Sequence, residues 1–254
     1  MRLCFVVGAR PNFMKVAPVL AEIARREAMG ALPGLERMVV HTGQHYDAAM
    51  SDVFFRDLGM PAPDDFLNVG SETHGRQTAR VMTAFEDVCD TRQPDGIVVV
   101  GDVNSTLACA LVAAKRGIGV AHVEAGLRSY DRSMPEEVNR VLTDQISDLL
   151  LTTCADAEGN LAREGVDRVK VRFVGNPMID SLLRGLDMLS EEPSDVSKRA
   201  SVAGLGIVVV TLHRPGNVDS PETLALIIRG LEEAARRNVV LFPVHPRTAK
   251  RLVE

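Results

Sequence analysis

The chain has 254 residues, of which 46% are hydrophobic and 25% charged, with 29 basic and 34 acidic side chains for a formal net charge of -5. That balance excludes a disordered, collagen-like or coiled-coil chain, and the length allows one large or two medium domains with a substantial core. The acidic balance, the absence of Trp and an aromatic content of 4% argue against a nucleic-acid or anionic-membrane partner.

The first apolar run, residues 3–7, is a strand that Arg10 and Pro11 bring to an end. It is too short for a signal-peptide core, and no later run approaches the roughly 18 residues of a membrane span. Helical spacing follows in Val16, Leu20 and Ile23, then a second strand over residues 38–41. A helix with Val81, Phe85 and Val88 inward leads to a strand over residues 97–100, and one with Leu107, Leu111 and Ala114 inward leads to a strand over residues 120–123. Strands over residues 149–152 and 171–174 continue the series. Several of these runs are apolar throughout rather than alternating, as in a parallel sheet covered on both faces. The rhythm predicts a doubly wound α/β domain with right-handed crossovers.

Beyond Gly175 a helix over residues 178–189 and the polar stretch SEEPSDVSKR precede a fresh strand over residues 207–211. A helix over residues 221–236, with Leu224, Ile227, Ile228 and Leu231 inward, leads to a strand over residues 239–244. The expected division is therefore a first Rossmann-like domain over residues 1–175 and a second over residues 176–254. Two strands are few for an independent sheet of this kind, so the second domain is expected to be incomplete in this chain. The four cysteines (Cys4, Cys89, Cys109, Cys154) match neither a zinc nor a disulfide pattern and read as reduced core thiols of a cytoplasmic protein.

In open parallel sheets, ligands bind beyond the carboxyl ends of the strands, beside helix N-termini. GARPNFMK, after the first strand, offers Arg10 and Lys15 to an anion, with solvated surface cations as the even alternative. It is neither a Walker loop nor a dinucleotide fingerprint. TGQHYD adds Gln44 and His45. In VVVGDVNST, Asp102 ends a buried strand, where capping by Asp102 or by residues 104–106 is the slightly favoured reading. In AHVEAGLRSYDRSMPEEVNR, Glu124 follows a strand that does not need it for packing. Arg128 continues that loop, and Glu136 and Glu137 open a helix whose dipole they complement, the reading favoured for Glu137. His122 reads as a satisfied core histidine, and no metal-ligand spacing occurs. TLHRPGN and FPVHPR place His213 and His245 at neighbouring strand ends of the second domain. Several acid/base groups near cations suit proton transfer on a phosphorylated or nucleotide-linked substrate.

In order, GARPNFMKVAP, TGQHYD, VVVGDVNST, HVEAGLRS, PEEVNR, VGNPMID and TLHRPGNVD resemble the UDP-N-acetylglucosamine 2-epimerase family along essentially the whole chain. The resemblance implies two Rossmann-like domains in a GT-B arrangement, with about a third of a complete subunit beyond Glu254. It implies interconversion of UDP-N-acetylglucosamine and UDP-N-acetylmannosamine through 2-acetamidoglucal and UDP, without a cofactor, for cell-surface polysaccharide, in a homodimer. Carried over, Asp102, Glu124 and Glu136 match catalytic carboxylates, His213 the cleft histidine, and Arg10 and Lys15 the cations that contact the nucleotide-sugar; Gln44, Arg128 and His245 are second-tier candidates. A hydrolysing relative that releases N-acetylmannosamine and UDP shares these carboxylates, and a GT-B glycosyltransferase or a sugar-nucleotide binder is a further alternative. Asn12 stands where many members have Glu, and Tyr46 and Asp47 stand where members activated by their own substrate usually have Arg and a further Gln. That activation is therefore not expected here.

Overall fold

The computed structural model describes residues 1–43, 55–188 and 194–253, except the side chains at positions 10, 199, 215 and 246. Two compact units divide the chain, Met1–Asp187 and Met188–Glu254.

The first unit is built on seven strands: β1 (Arg2–Val7), β2 (Glu36–His41), β3 (Asp65–Phe66), β4 (Gly96–Val100), β5 (Gly119–Ala125), β6 (Leu149–Thr152) and β7 (Val171–Phe173). They form one sheet in the order β3-β2-β1-β4-β5-β6-β7. Every neighbouring pair is parallel. The helices are α1 (Arg10–Ala28), α2 (His74–Arg92), α3 (Asn104–Lys115), α4 (Pro135–Ile146), α5 (Ala155–Arg163) and α6 (Pro177–Asp187). The chain starts in mid-sheet and winds outward in both directions, so consecutive strands need helical crossovers. The two-residue edge strand β3 is an addition to the six strands expected for this unit, too short to show a period.

The unbroken apolar runs have the expected cause. Cys4 and Val6 of β1 face one core layer with Val81 and Phe85 of α2 and Cys109 and Val112 of α3. Phe5 and Val7 face the other, with Phe13, Val16 and Leu20 of α1. Both faces are covered, so Cys4, Phe5, Val6 and Val7 are all buried, whichever face they point to. One expected stripe is displaced. Leu107, Leu111 and Ala114 are only half-buried, whereas Ala108, Cys109, Ala110, Val112 and Ala113 are buried. A helix wedged between a sheet and two helices is enclosed nearly all round, and small residues let those neighbours approach. Burial pushes the Cys4 and Cys109 thiols up, and that of Cys89 to about 11, so these three behave as core residues.

The first unit ends later than residue 175, because α6 docks on α1, with Ser181 Oγ donating to Met14 O at 2.5 Å. The second unit contains α7 (Asp195–Val202), β8 (Gly206–Val209), α8 (Pro215–Val218), α9 (Pro221–Ala235), β9 (Asn238–Leu241) and α10 (Pro246–Val253). Its strands pair in parallel, β8 beside β9. Leu224 of α9 is buried and Ile227, Ile228 and Leu231 are half-buried, as the periodicity predicts. Among the described residues no helix is long and apolar enough to cross a membrane.

At the end of β2, His41 is 1% exposed and stacks on Phe66 with ring centroids 4.4 Å apart. Its Nδ1 accepts from Gly43 N at 2.9 Å, and its Nε2 has no partner among the described residues. Burial lowers its pKa from 6.5 to about 4. In that window the unfolded chain binds a proton that the folded one refuses, so stability falls as pH falls from 6.5 towards 4. Urea unfolding at about pH 7 and about pH 5 is expected to show an acid loss smaller by on the order of 1–2 kcal/mol in His41→Phe than in the native protein. Equal losses would remove His41 from the acid sensitivity.

Candidate active site

The carboxyl ends of β1, β2, β4 and β5 lie side by side, since these strands are neighbours in one parallel sheet. The backbone there is crowded. A Cβ on Gly8 would come within 2.6 Å of Ser105 Oγ, and Thr42 Oγ1 and Ser105 Oγ are themselves hydrogen-bonded at 2.7 Å. Asn12, buried in the first turn of α1, accepts from Gly8 N at 3.2 Å and Ala9 N at 3.1 Å and donates to Val100 O at 2.9 Å. It ties the β1–α1 turn to the end of β4.

One turn further along α1, Lys15 forms an ion pair with Glu124, their side chains 9% and 15% exposed. A lysine facing solvent, the even alternative from the sequence, is therefore not what the fold builds. Glu124 sits at φ 70°, in the left-handed region, which costs a residue with a Cβ about 1–3 kcal/mol. Here the β5–β6 register shifts, between Val123 and Ala125. A bulge next to the end of a buried strand re-aims the side chain, and this one turns Glu124 to Lys15. Gly101 lies beneath both: at φ 66°, its absent Cβ would fall 2.9 Å from Lys15 Nζ and 3.3 Å from Glu124 Oε2.

Asp102 does not cap α3. The N-cap is Val103 and no side chain closes it. Asp102 Oδ2 instead accepts from Arg140 at 2.5 Å, while Asn139 Nδ2 donates to Asp102 O at 2.8 Å. Asn104 joins Asn139 to Gln77 (3.2 and 2.8 Å), and Thr106 donates to Val100 O at 2.9 Å, so residues 104–106 brace the strand end. Arg140 also reaches Glu137 at 2.8 Å. Glu137 accepts from Ser129 N and Tyr130 N, both at 2.9 Å. Burial would raise the Glu137 carboxyl, but these donors and Arg140 outweigh it and hold it below the usual range. Glu137 thus fastens the β5–α4 loop, beyond complementing a dipole. Glu136, half-buried, has no hydrogen-bonded partner among the described residues.

His122 is fully buried with both ring nitrogens engaged, one by Asp144 and one by Gly101 O, as a satisfied core histidine should be. Asp144 also accepts from Gly126 N at 3.0 Å and Arg128 at 2.7 Å. Burial pushes its carboxyl up, yet His122 and Arg128 bring it below the ordinary value. Arg128, its side chain 1% exposed, makes a two-pronged contact with Glu164 at 2.7 and 2.6 Å. Its partners outweigh desolvation and raise its pKa further.

In the second unit, His213 and His245 are exposed with ring centroids 5.6 Å apart. Their strands β8 and β9 are paired, which brings the two histidines together as expected. His245 Nδ1 accepts from Arg247 N at 3.1 Å, and Arg247 grips Asp219 at 3.0 and 2.5 Å. Gln44, His45 and the Arg10 side chain lie outside the described residues. Among those described, no group of His, Cys, Asp and Glu could hold a metal ion. Sequence reasoning did not single out Arg140, Asn139 or Asp144. The Glu137–Arg140 spacing is a readable helix pair, but the reach to Asp102 is tertiary.

Arg128→Met leaves Glu164 without its guanidinium partner and removes one of the two side chains that bond Asp144, the other being His122, and urea unfolding is expected to show a loss of about 3 kcal/mol or more. Unchanged stability would mean that Arg128 is not a structural ion-pair partner.

The family model for UDP-N-acetylglucosamine 2-epimerase matches residues 27–254. A UDP-N-acetylglucosamine 2-epimerase homolog of Methanococcus maripaludis is 42% identical over 99% of this chain, which spans 68% of that protein. A UDP-2,3-diacetamido-2,3-dideoxy-D-glucuronate 2-epimerase of Pseudomonas aeruginosa is likewise 42% identical, over 98% of this chain and 68% of its own length. The crystal structure of the Methanocaldococcus jannaschii UDP-GlcNAc 2-epimerase, in complex with UDP-GlcNAc and UDP, is 41% identical with a TM-score of 0.84, over all of this chain and 68% of that one. Matched along nearly its whole length in sequence and fold, the chain belongs to the UDP-N-acetylglucosamine 2-epimerase family.

Proposed function

We propose that the protein epimerises carbon 2 of a UDP-activated 2-acetamido sugar, with UDP-N-acetylglucosamine and UDP-N-acetylmannosamine as the pair interconverted. In the reaction the proton on carbon 2 is removed and the bond from carbon 1 to UDP breaks, giving 2-acetamidoglucal and UDP. Re-addition of UDP to carbon 1, with a proton returned to the other face of carbon 2, completes the inversion. The observation that carries this reading is Glu124, a carboxylate held at φ 70° at the end of a buried strand against Lys15. Backbone strain at a strand end that packing does not need is characteristic of a site. Family membership supplies the substrate class.

Removal of a weakly acidic C–H proton needs a well-placed base, and inversion needs acid/base groups serving both faces. Asp102, Glu124 and Glu136 are assigned those roles, and His213 is assigned a catalytic role by the family resemblance. Lys15 fixes the direction of the Glu124 carboxylate, and Arg10 and Lys15 present positive charge to the diphosphate as it leaves. Gln44 and His245 are assigned to substrate binding. Arg128 is assigned to the support of the site, because Glu164 and Asp144 already occupy its guanidinium. No NAD enters this scheme. The Pseudomonas relative makes the UDP-2,3-diacetamido glucuronate a second substrate to assay, since its identity to this chain equals that of the archaeal homolog. A cytoplasmic location, a homodimer and a supply role in cell-surface polysaccharide belong to the same proposal.

The test is product analysis with the protein expressed from its full reading frame and UDP-N-acetylglucosamine. UDP-N-acetylmannosamine is the expected product; free N-acetylmannosamine with UDP would make the enzyme a hydrolysing one, and no product would reject the epimerase reading. Asp102→Asn and Glu124→Gln are each expected to lower kcat by roughly a hundredfold or more. Turnover that survives both changes would rule out the elimination route.

A further inference from the structure

His122 lies two residues before Glu124 and is fully buried. Its Nδ1 is 2.7 Å from Asp144 Oδ1 and its Nε2 is 2.8 Å from Gly101 O. Both neighbours are acceptors. A carbonyl oxygen can only accept, and the second oxygen of Asp144 already takes hydrogen bonds from Gly126 N and Arg128. A neutral imidazole has one N–H and one lone pair, so one end of the ring would face an acceptor with a lone pair. Hydrogen bonds at both ends require a proton on each nitrogen. The charges of this cluster then balance: His122 and Arg128 are positive, Asp144 and the partly exposed Glu164 negative.

This doubly donating ring is placed to control the site. Gly101 is tied to β5 at two points, by its N–H to Val123 O at 3.0 Å and by its carbonyl to His122. The same glycine is the floor on which Lys15 and Glu124 rest. On its other side, Asp144 holds Gly126, whose φ of 79° and close approach to Ala157 leave no room for a Cβ. The residues on either side of the Glu124 bulge are therefore fastened through one imidazole and one carboxylate.

We infer that His122 is a positioning residue, a buried imidazolium clamped between Asp144 and the Gly101 carbonyl that sets where the Lys15–Glu124 pair stands. Its catalytic consequence rests on the epimerase reading above; its charge does not. His122→Phe keeps a ring of similar size and removes both donors. A turn released by a fraction of an ångström misplaces a catalytic group without abolishing substrate binding.

Two measurements on the full-length protein test this. In long-range proton–nitrogen NMR spectra of histidine-labelled protein at about pH 7.5, with the signals assigned by their loss in His122→Phe, both His122 nitrogens are expected to have the shifts of protonated nitrogens. One nitrogen without a proton overturns the inference; if the variant does not fold, the signals are assigned in the native protein by correlating each imidazole with its own backbone resonances. In steady-state kinetics, His122→Phe is expected to lower kcat by roughly a hundredfold while KM stays within about threefold. Unchanged kcat, or a rise in KM alone, overturns it. A native protein without turnover whose His122 carries both protons would reject the epimerase reading and the catalytic role of the clamp with it, and leave the charge assignment as measured.

Discussion

A buried ion pair is costly to build, because two charges leave water and their attraction rarely repays that loss. Lys15 and Glu124 form such a pair, brought from α1 and the end of β5, and the surrounding structure is arranged to hold it. Asn12 ties the turn before α1 to β4. Gly101 withdraws its side chain from beneath the pair. The bulge in β5 spends backbone strain to aim the glutamate. A stability-driven sequence would place a small apolar residue at position 124. The carboxylate there is the feature on which the proposed chemistry at the sheet's carboxyl edge rests.

Around that pair the polar network is layered. Asp102, Arg140 and Glu137 bridge the end of β4 to α4 and to the loop after β5. Below them, Glu164, Arg128, Asp144 and His122 run as an alternating chain of charges to Gly101. Each acceptor in that chain is matched by a donor, which is the condition under which buried polar networks make a structure rigid rather than weak. Rigid support is what a proton transfer at carbon needs, since the base must meet a poorly acidic bond in one geometry.

Much of this was legible in the sequence. The unbroken apolar runs announced a sheet covered on both faces, and the strands they marked are those observed. The polar residues placed just past those runs, Asp102 and Glu124 above all, stand at the carboxyl edge of the sheet, where a site was expected. What the sequence could not show depended on distance in space. Whether Lys15 was solvated or paired was undecidable, because Glu124 is 109 residues away along the chain. Asp102 looked like a cap, and only the fold revealed Arg140 opposite it. The inward stripe of α3 was misplaced because a helix enclosed on nearly all sides has no apolar face to read. The boundary between the units was set too early, at residue 175, because α6 has the pattern of either domain and its docking on α1 is a tertiary fact.

The most direct test of the central claim, that Glu124 is held in place to act on carbon 2 of the sugar, is proton exchange there. UDP-N-acetylglucosamine incubated in deuterium oxide should lose its carbon-2 proton signal with the native protein and retain it with Glu124→Gln. Exchange at the same rate in both would contradict the account.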